Sequence, residues 1–201
     1  MIERQHLEKV DISLYQNAKK GNWCSGDSIF TVSTKDYVLC AVADGLGSGE
    51  EAMDASSAAI ESIKMNHHLD VALIMSHCNK TLAHKRGTVI GVLKINFPNK
   101  EIIYCNVGNI GCAFYPPSGK LERPIPIRGY LSGKQQKFKI QHLYYEPGTS
   151  FILYTDGLIF NPAYHSCLFD LNTPELMMEH IVNDMKESND DTAIVIGKIL
   201  D

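Results

Sequence analysis

The tripeptide Asp-Gly-Leu occurs twice in 201 residues, at Asp44 in "CAVADGLGSG" and at Asp156 in "LYTDGL". Each copy ends an apolar run that reads as a buried strand, so each places a carboxylate where the chain leaves the core. Asp190 and Asp191 stand immediately before another such run, "TAIVIGKI", and Asp27 precedes a fourth in "CSGDSIF". Asp-Gly alone is ordinary turn chemistry, and Asp beside an element is often only a cap. Four apolar strands that all carry Asp at one end are harder to explain that way. Carboxylates gathered at adjacent strand ends repel, and one must keep its proton unless a cation neutralises the group. Hard oxygen donors without His or Cys suit Mg²⁺ or Mn²⁺. Two such ions about 4 Å apart lower the pKa of a shared water and clamp a phosphoryl group. Asp44 is the natural bridging ligand, because Gly45 can bring a backbone carbonyl to the same metal.

Other chemistries find less support. "GLGSG" suggests a phosphate cradle, but no Gly-Lys-Ser/Thr follows it, and a third glycine at dinucleotide spacing is missing. The sequence has no G-x-S-x-G elbow, no H-E-x-x-H, no Asp-x-Asp, and no cysteine with an arginine six positions later. The six cysteines form no C-x-x-C pair and read as buried, reduced thiols of a cytoplasmic protein. Hydrophobic content of 44% and charged content of 21% are globular values, which argues against disorder. A net charge of −4 argues against nucleic acid as a partner, and no apolar run is long enough for a membrane span.

The elements that must position the acids can be read from periodicity. Strands are expected at 10–15, 28–32 and 37–43. A helix follows from Glu50 to Met65, with Ala52, Ala55, Ala59 and Ile63 on one face and Ser48-x-x-Glu51 as a capping box. A second helix is expected from Val71 to about Ala83, capped by Asp70. Strands at 88–97 and 101–107 flank Pro98-Asn99-Lys100 as a hairpin. In its first arm Leu93, Ile95 and Phe97 alternate with Lys94 and Asn96, which predicts one covered face and one wet face. Further strands fit 111–116, 138–145, 150–155 and 192–199. A long connection (161–174) leads to a helix opened by Thr173-Pro174, with Met177, Ile181 and Met185 buried. Strict β–α alternation is missing, so the fold class is α+β, a layered sandwich of mostly antiparallel sheets covered by helices, in a single domain spanning 1–201.

The segment 128–139, "RGYLSGKQQKFK", carries Arg128, Lys134, Lys137 and Lys139. It reads as a solvated hairpin or as a docking surface for an acidic or phosphorylated partner. A non-catalytic adaptor that binds such a partner through this hairpin is the alternative to an enzyme.

"SGDSIF", "VADGLGSG", "KRGTVIGVLKIN", "CNVGNI", "YTDGL" and "DDTAIVIG" occur in one order across nearly the whole chain. Together they resemble the metal-dependent serine/threonine phosphatases of the PP2C (PPM) family, in particular the bacterial branch of sporulation and stress-response phosphatases. The resemblance implies an αββα four-layer sandwich and two Mn²⁺ or Mg²⁺ ions. It implies that Asp44 bridges the ions, that the Gly45 carbonyl binds one, that Asp156 and Asp190 complete the two sites, and that Asp27 holds metal-bound water. It further implies phosphorylated stressosome scaffold proteins as partners, in a feedback role on the general stress sigma-factor pathway. Three positions depart from the family pattern. Ala193 stands where a threonine is usual, Leu46 where the animal enzymes have His, and "SGD" offers no upstream phosphate-binding Arg.

Overall fold

A computed structural model describes residues 2–170, 172–185 and 190–200. One sheet runs in the order β1 (Ile2–His6), β2 (Val10–Asn17), β10 (Thr192–Ile199), β9 (Ser150–Tyr154), β7 (Gly111–Tyr115). The other runs β3 (Asp27–Ser33), β4 (Tyr37–Gly45), β5 (Thr88–Asn96), β6 (Glu101–Val107), β8 (Gln141–Tyr144). Every neighbouring pair is antiparallel. Helices α1 (Glu50–Asn66) and α2 (Val71–Thr81) cover the second sheet, and α3 (Tyr164–Phe169) and α4 (Pro174–Asp184) cover the first. The αββα sandwich expected from the sequence is the fold.

Period-two alternation explains how one strand serves two cores. Along β4, Val38, Cys40 and Val42 face the other sheet, while Leu39, Ala41 and Ala43 face the helices. Small residues on α1 (Ala52, Ala55 and Ala59) let that helix lie close to the sheet. The facing sides of the two sheets meet around Leu93, Phe151, Leu153 and Val195.

Several local expectations need correction. The proposed wet face of β5 is buried, because α1 and α2 lie across it. Lys94 is only 7% exposed, and its ammonium donates to the carbonyls of His67 (3.0 Å) and Leu69 (2.9 Å) at the end of α1. A cation satisfies helix C-terminal carbonyls well, which explains a lysine in an otherwise apolar strand. The capping box is not formed: Gly49 is the N-cap, without a side-chain bond, and Glu51 pairs with Arg86 at 2.8 Å. Asp70 caps α2 by position, again without a side-chain bond. Thr173 does accept from Leu176 N, with Pro174 in the first turn of α4. The connection 161–174 contains α3, whose Tyr164 and Leu168 one turn apart are both buried. At the N-terminus β1 is an edge strand whose mostly polar residues suit an exposed edge. The strand at 138–145 shrinks to 141–144, and Cys167 is exposed rather than buried. The segment 128–139 is not a hairpin. It is irregular, pinned by a bridge between Thr88 and Leu131, whose side chain is fully buried.

Candidate active site

The acids sit where topology puts them. Asp27 opens β3 and Asp44 lies near the end of β4, and the register pairs these two residues directly. Asp156 follows β9 on the opposite sheet, and Asp190 and Asp191 lead into β10, the neighbour of β9. All five carboxylates line one cavity of about 240 Å³, together with Gly45 and Asn109. Every residue singled out from the sequence, Asp27, Asp44, Gly45, Asp156 and Asp190, is therefore in one place.

Burial grades the cluster from floor to rim. Asp27 and Asp191 are buried, Asp44 is half-buried, and Asp156 and Asp190 are exposed. Burial first, and then the charge on Asp44, pushes the Asp27 carboxyl up to about 8, against a hydrogen bond from Thr155 that pulls it down. Asp44 is raised to about 7 by burial and by the charges of Asp156, Asp190 and Asp191, while a hydrogen bond from Asp27 opposes the rise. These two carboxyls thus keep protons to a higher pH than free aspartate does, first through burial and then through the repulsion of neighbouring acids.

Hydrogen bonds fix several members. Thr155 Oγ1 donates to Asp27 Oδ2 at 2.7 Å and accepts from Ala193 N at 2.8 Å. Ala193 thus engages a site hydroxyl through its backbone. Thr88 Oγ1 donates to the Asp44 carbonyl at 2.6 Å. Asn109 Nδ2 donates to Asp156 Oδ2 at 2.8 Å. The two Oδ atoms of Asp191 accept from Lys19 N (2.8 Å) and Gly26 N (2.9 Å), so this acid ties the β2–β3 connection to the start of β10. Leu46 lines the cavity and packs against the inter-sheet core.

The glycines of the two Asp-Gly pairs serve close approach. A Cβ on Gly45 would overlap the Ala52 carbonyl of α1, and one on Gly157 would overlap the Asp191 carbonyl and meet Thr192 Oγ1 at 2.5 Å. At both positions backbone packs on backbone, so glycine is required whatever the carbonyl of Gly45 binds. Sequence reasoning missed Thr155, Asn109 and the distinct role of Asp191. Thr155 was signalled only by preceding Asp156, and Asn109 by the motif "CNVGNI".

The donor set suits a hard divalent cation: oxygen ligands in excess, mutually repelling, with no cationic side chain on the cavity wall among the described residues. Among the described residues no three acidic, His or Cys side chains form a ready-made ligand set. The carboxylates surround the space rather than converge on a point within it.

The antiparallel αββα sandwich is the PP2C fold. The PP2C phosphatase domain of SpoIIE from Bacillus subtilis shares this fold, with a TM-score of 0.78 at 16% identity, over 100% of this chain and 64% of that one. The SpoIIE family, described as Stage II sporulation protein E, matches residues 34–199, and the chain belongs to it. Phosphoserine phosphatase RsbX of Bacillus subtilis (strain 168) is 36% identical over 211 residues, covering 99% of this chain and 100% of RsbX. A crystal structure of RsbX in complex with magnesium superposes with a TM-score of 0.94 at 37% identity, over 99% of this chain and 100% of that one. The chain is thus an enzyme of the phosphatase class. Among the described residues no helix is long and apolar enough to cross a membrane.

Proposed function

We propose that residues 1–201 act as one cytoplasmic phosphatase domain that hydrolyses phosphoserine and phosphothreonine on stressosome scaffold proteins. In that role the chain is a negative feedback regulator of the general stress sigma-factor pathway. The observation that carries the catalytic reading is the set of five carboxylates around one cavity, with the two at its floor forced to hold protons. Asp44, Asp156 and Asp190 would hold two Mn²⁺ or Mg²⁺ ions, with the Gly45 carbonyl contributing to one. When bound, the ions supply Lewis acidity that activates water and neutralises phosphoryl oxygens. The protein's own part is positioning. Asp27 stands beside Asp44, is itself held by Thr155, and would hold metal-bound water. Asn109 holds Asp156 at the rim, and Thr88 holds the backbone of Asp44. Asp191 keeps the two loops of the floor together. The full-length relationship to a phosphoserine phosphatase supports the substrate class.

The test is phosphate release from phosphorylated stressosome scaffold protein, after stripping with EDTA and then with Mn²⁺ restored. The stripped protein should be inactive and the reloaded one active, with calorimetry giving two Mn²⁺ per chain. Turnover that ignores the chelator would overturn the reading.

A further inference from the structure

A phosphorylated residue seated at the acid cavity must lay its flanking residues across the surface beside it. That surface holds a groove of about 400 Å³ lined by Gly108, Asn109, Pro126, Arg128 and Gly129. Asn109 lines both the groove and the acid cavity, so the two adjoin. The groove wall is held from both sides. Gly108 N donates to the Ile127 carbonyl at 2.7 Å, and Leu131 and Thr88 exchange backbone bonds of 2.8 and 3.1 Å. Thr88 is the residue whose hydroxyl holds Asp44, so Arg128 sits between two anchors fastened to the site itself.

Arg128 is exposed and is, among the described residues, the one charged residue on the groove wall. Arg86 and Lys85 are already paired, with Glu51 and Asp54 respectively. No hydrogen bond or ion pair to Arg128 exists among the described residues. An unpaired guanidinium held at the edge of a strongly negative cavity is complementary to an anion that the cavity would otherwise repel. Gly129 carries no side chain, and a Cβ there would meet only Val107 Cγ1 at 3.9 Å, so an extended peptide can lie close to that stretch of backbone.

Resting on the phosphatase reading, we propose that this groove seats the polypeptide flanking the phosphorylated residue. Arg128 is a specificity-determining residue there, and it binds an anionic side chain of the substrate.

The test compares phosphopeptides that differ at one flanking position, carrying aspartate, a second phosphoserine, alanine or lysine. Each is assayed with the Mn²⁺-loaded full chain, and its affinity is measured separately by fluorescence anisotropy. The wild type should favour the acidic flank over alanine roughly tenfold in kcat/KM, the scale of one charge-assisted contact, and chiefly through KM. The aspartate and phosphoserine arms decide which anion the arginine reads. Arg128→Ala should erase the preference, and Arg128→Glu should shift it towards the lysine flank. An unchanged preference in Arg128→Ala, or none in the wild type, would overturn the proposal. Failure of the wild type to release phosphate from any peptide would instead count against the phosphatase reading.

Discussion

The acid cavity and the groove beside it share Asn109, yet they are built by opposite means. Five acids reach the cavity at the ends of β3, β4, β9 and β10, four strands locked into two sheets. Arg128 reaches the groove on a long irregular connection between β7 and β8, held by a few backbone bonds and one buried leucine. The cavity is negative and rigid through its strands, whereas the groove is positive and held only at its anchors. Chemistry that needs carboxylates fixed at ångström precision belongs on strand ends, and recognition that must adapt to a peptide belongs on a loop.

The sharpest way to break this contrast is at Asp44. Asp44→Asn should lower phosphate release by about three orders of magnitude or more, because one amide replaces the acid that other carboxylates repel and metal would bridge. The fold should survive, and the metal-free variant should melt above the metal-free wild type because repulsion at the floor is relieved. Circular dichroism and a phosphate-release assay with Mn²⁺ check both halves. Near-wild-type turnover would remove Asp44 from the proposed site.

Asp190 and Asp191 carry the same comparison down to adjacent residues. Asp190 is exposed at the rim, while Asp191 is buried and accepts two backbone N–H bonds from a distant loop. Asp191→Ala should cost about 2–4 kcal/mol of stability, since one buried and one half-buried N–H lose a charged acceptor. Asp190→Asn should lose activity with stability held within about 0.5 kcal/mol, because the Asn carbonyl can still accept from Asp191 N. Urea denaturation beside the activity assay separates the two. Equal effects on stability would mean that the pair is one structural unit.

The cavity was legible in the sequence because strand periodicity and the position of Asp at strand ends are local signals, and antiparallel pairing turns them into proximity. Asp27 and Asp44 show this well: each marks a strand terminus, and the register sets them opposite each other. Thr155 and Asn109 were not legible, because their bonds to Asp27 and Asp156 span 128 and 47 residues. Lys94 misled because alternation in β5 looks like a wet face until two helices lie across it. The segment 128–139 misled in the opposite direction. Its charges suggested a hairpin, but Leu131 is what fixes its path, and one buried leucine in a polar stretch gives no period to read.

The smallest expected effect concerns the protons at the floor. Burial and neighbouring charge push Asp27 up to about 8 and Asp44 up to about 7 in the folded, metal-free protein, from 3.8 for an unperturbed aspartate. Between those values the folded state holds protons that the unfolded chain has released, so stability must fall as pH rises. This contribution is fully present below about pH 3.8 and is lost as pH passes through about 8. The metal-free protein should therefore melt lower at pH 8.5 than at pH 5.5, by at least about 3 °C for a chain of this size. Mn²⁺ competes with the same protons, so the stabilisation it gives should grow over that interval. Asp44→Asn should flatten the metal-free slope, while Arg128→Ala, acting on the groove alone, should leave it as it is. A metal-free protein that is no less stable at the higher pH would show that burial and repulsion do not hold protons on these two acids. The contrast between the cavity and the groove would then rest on geometry alone.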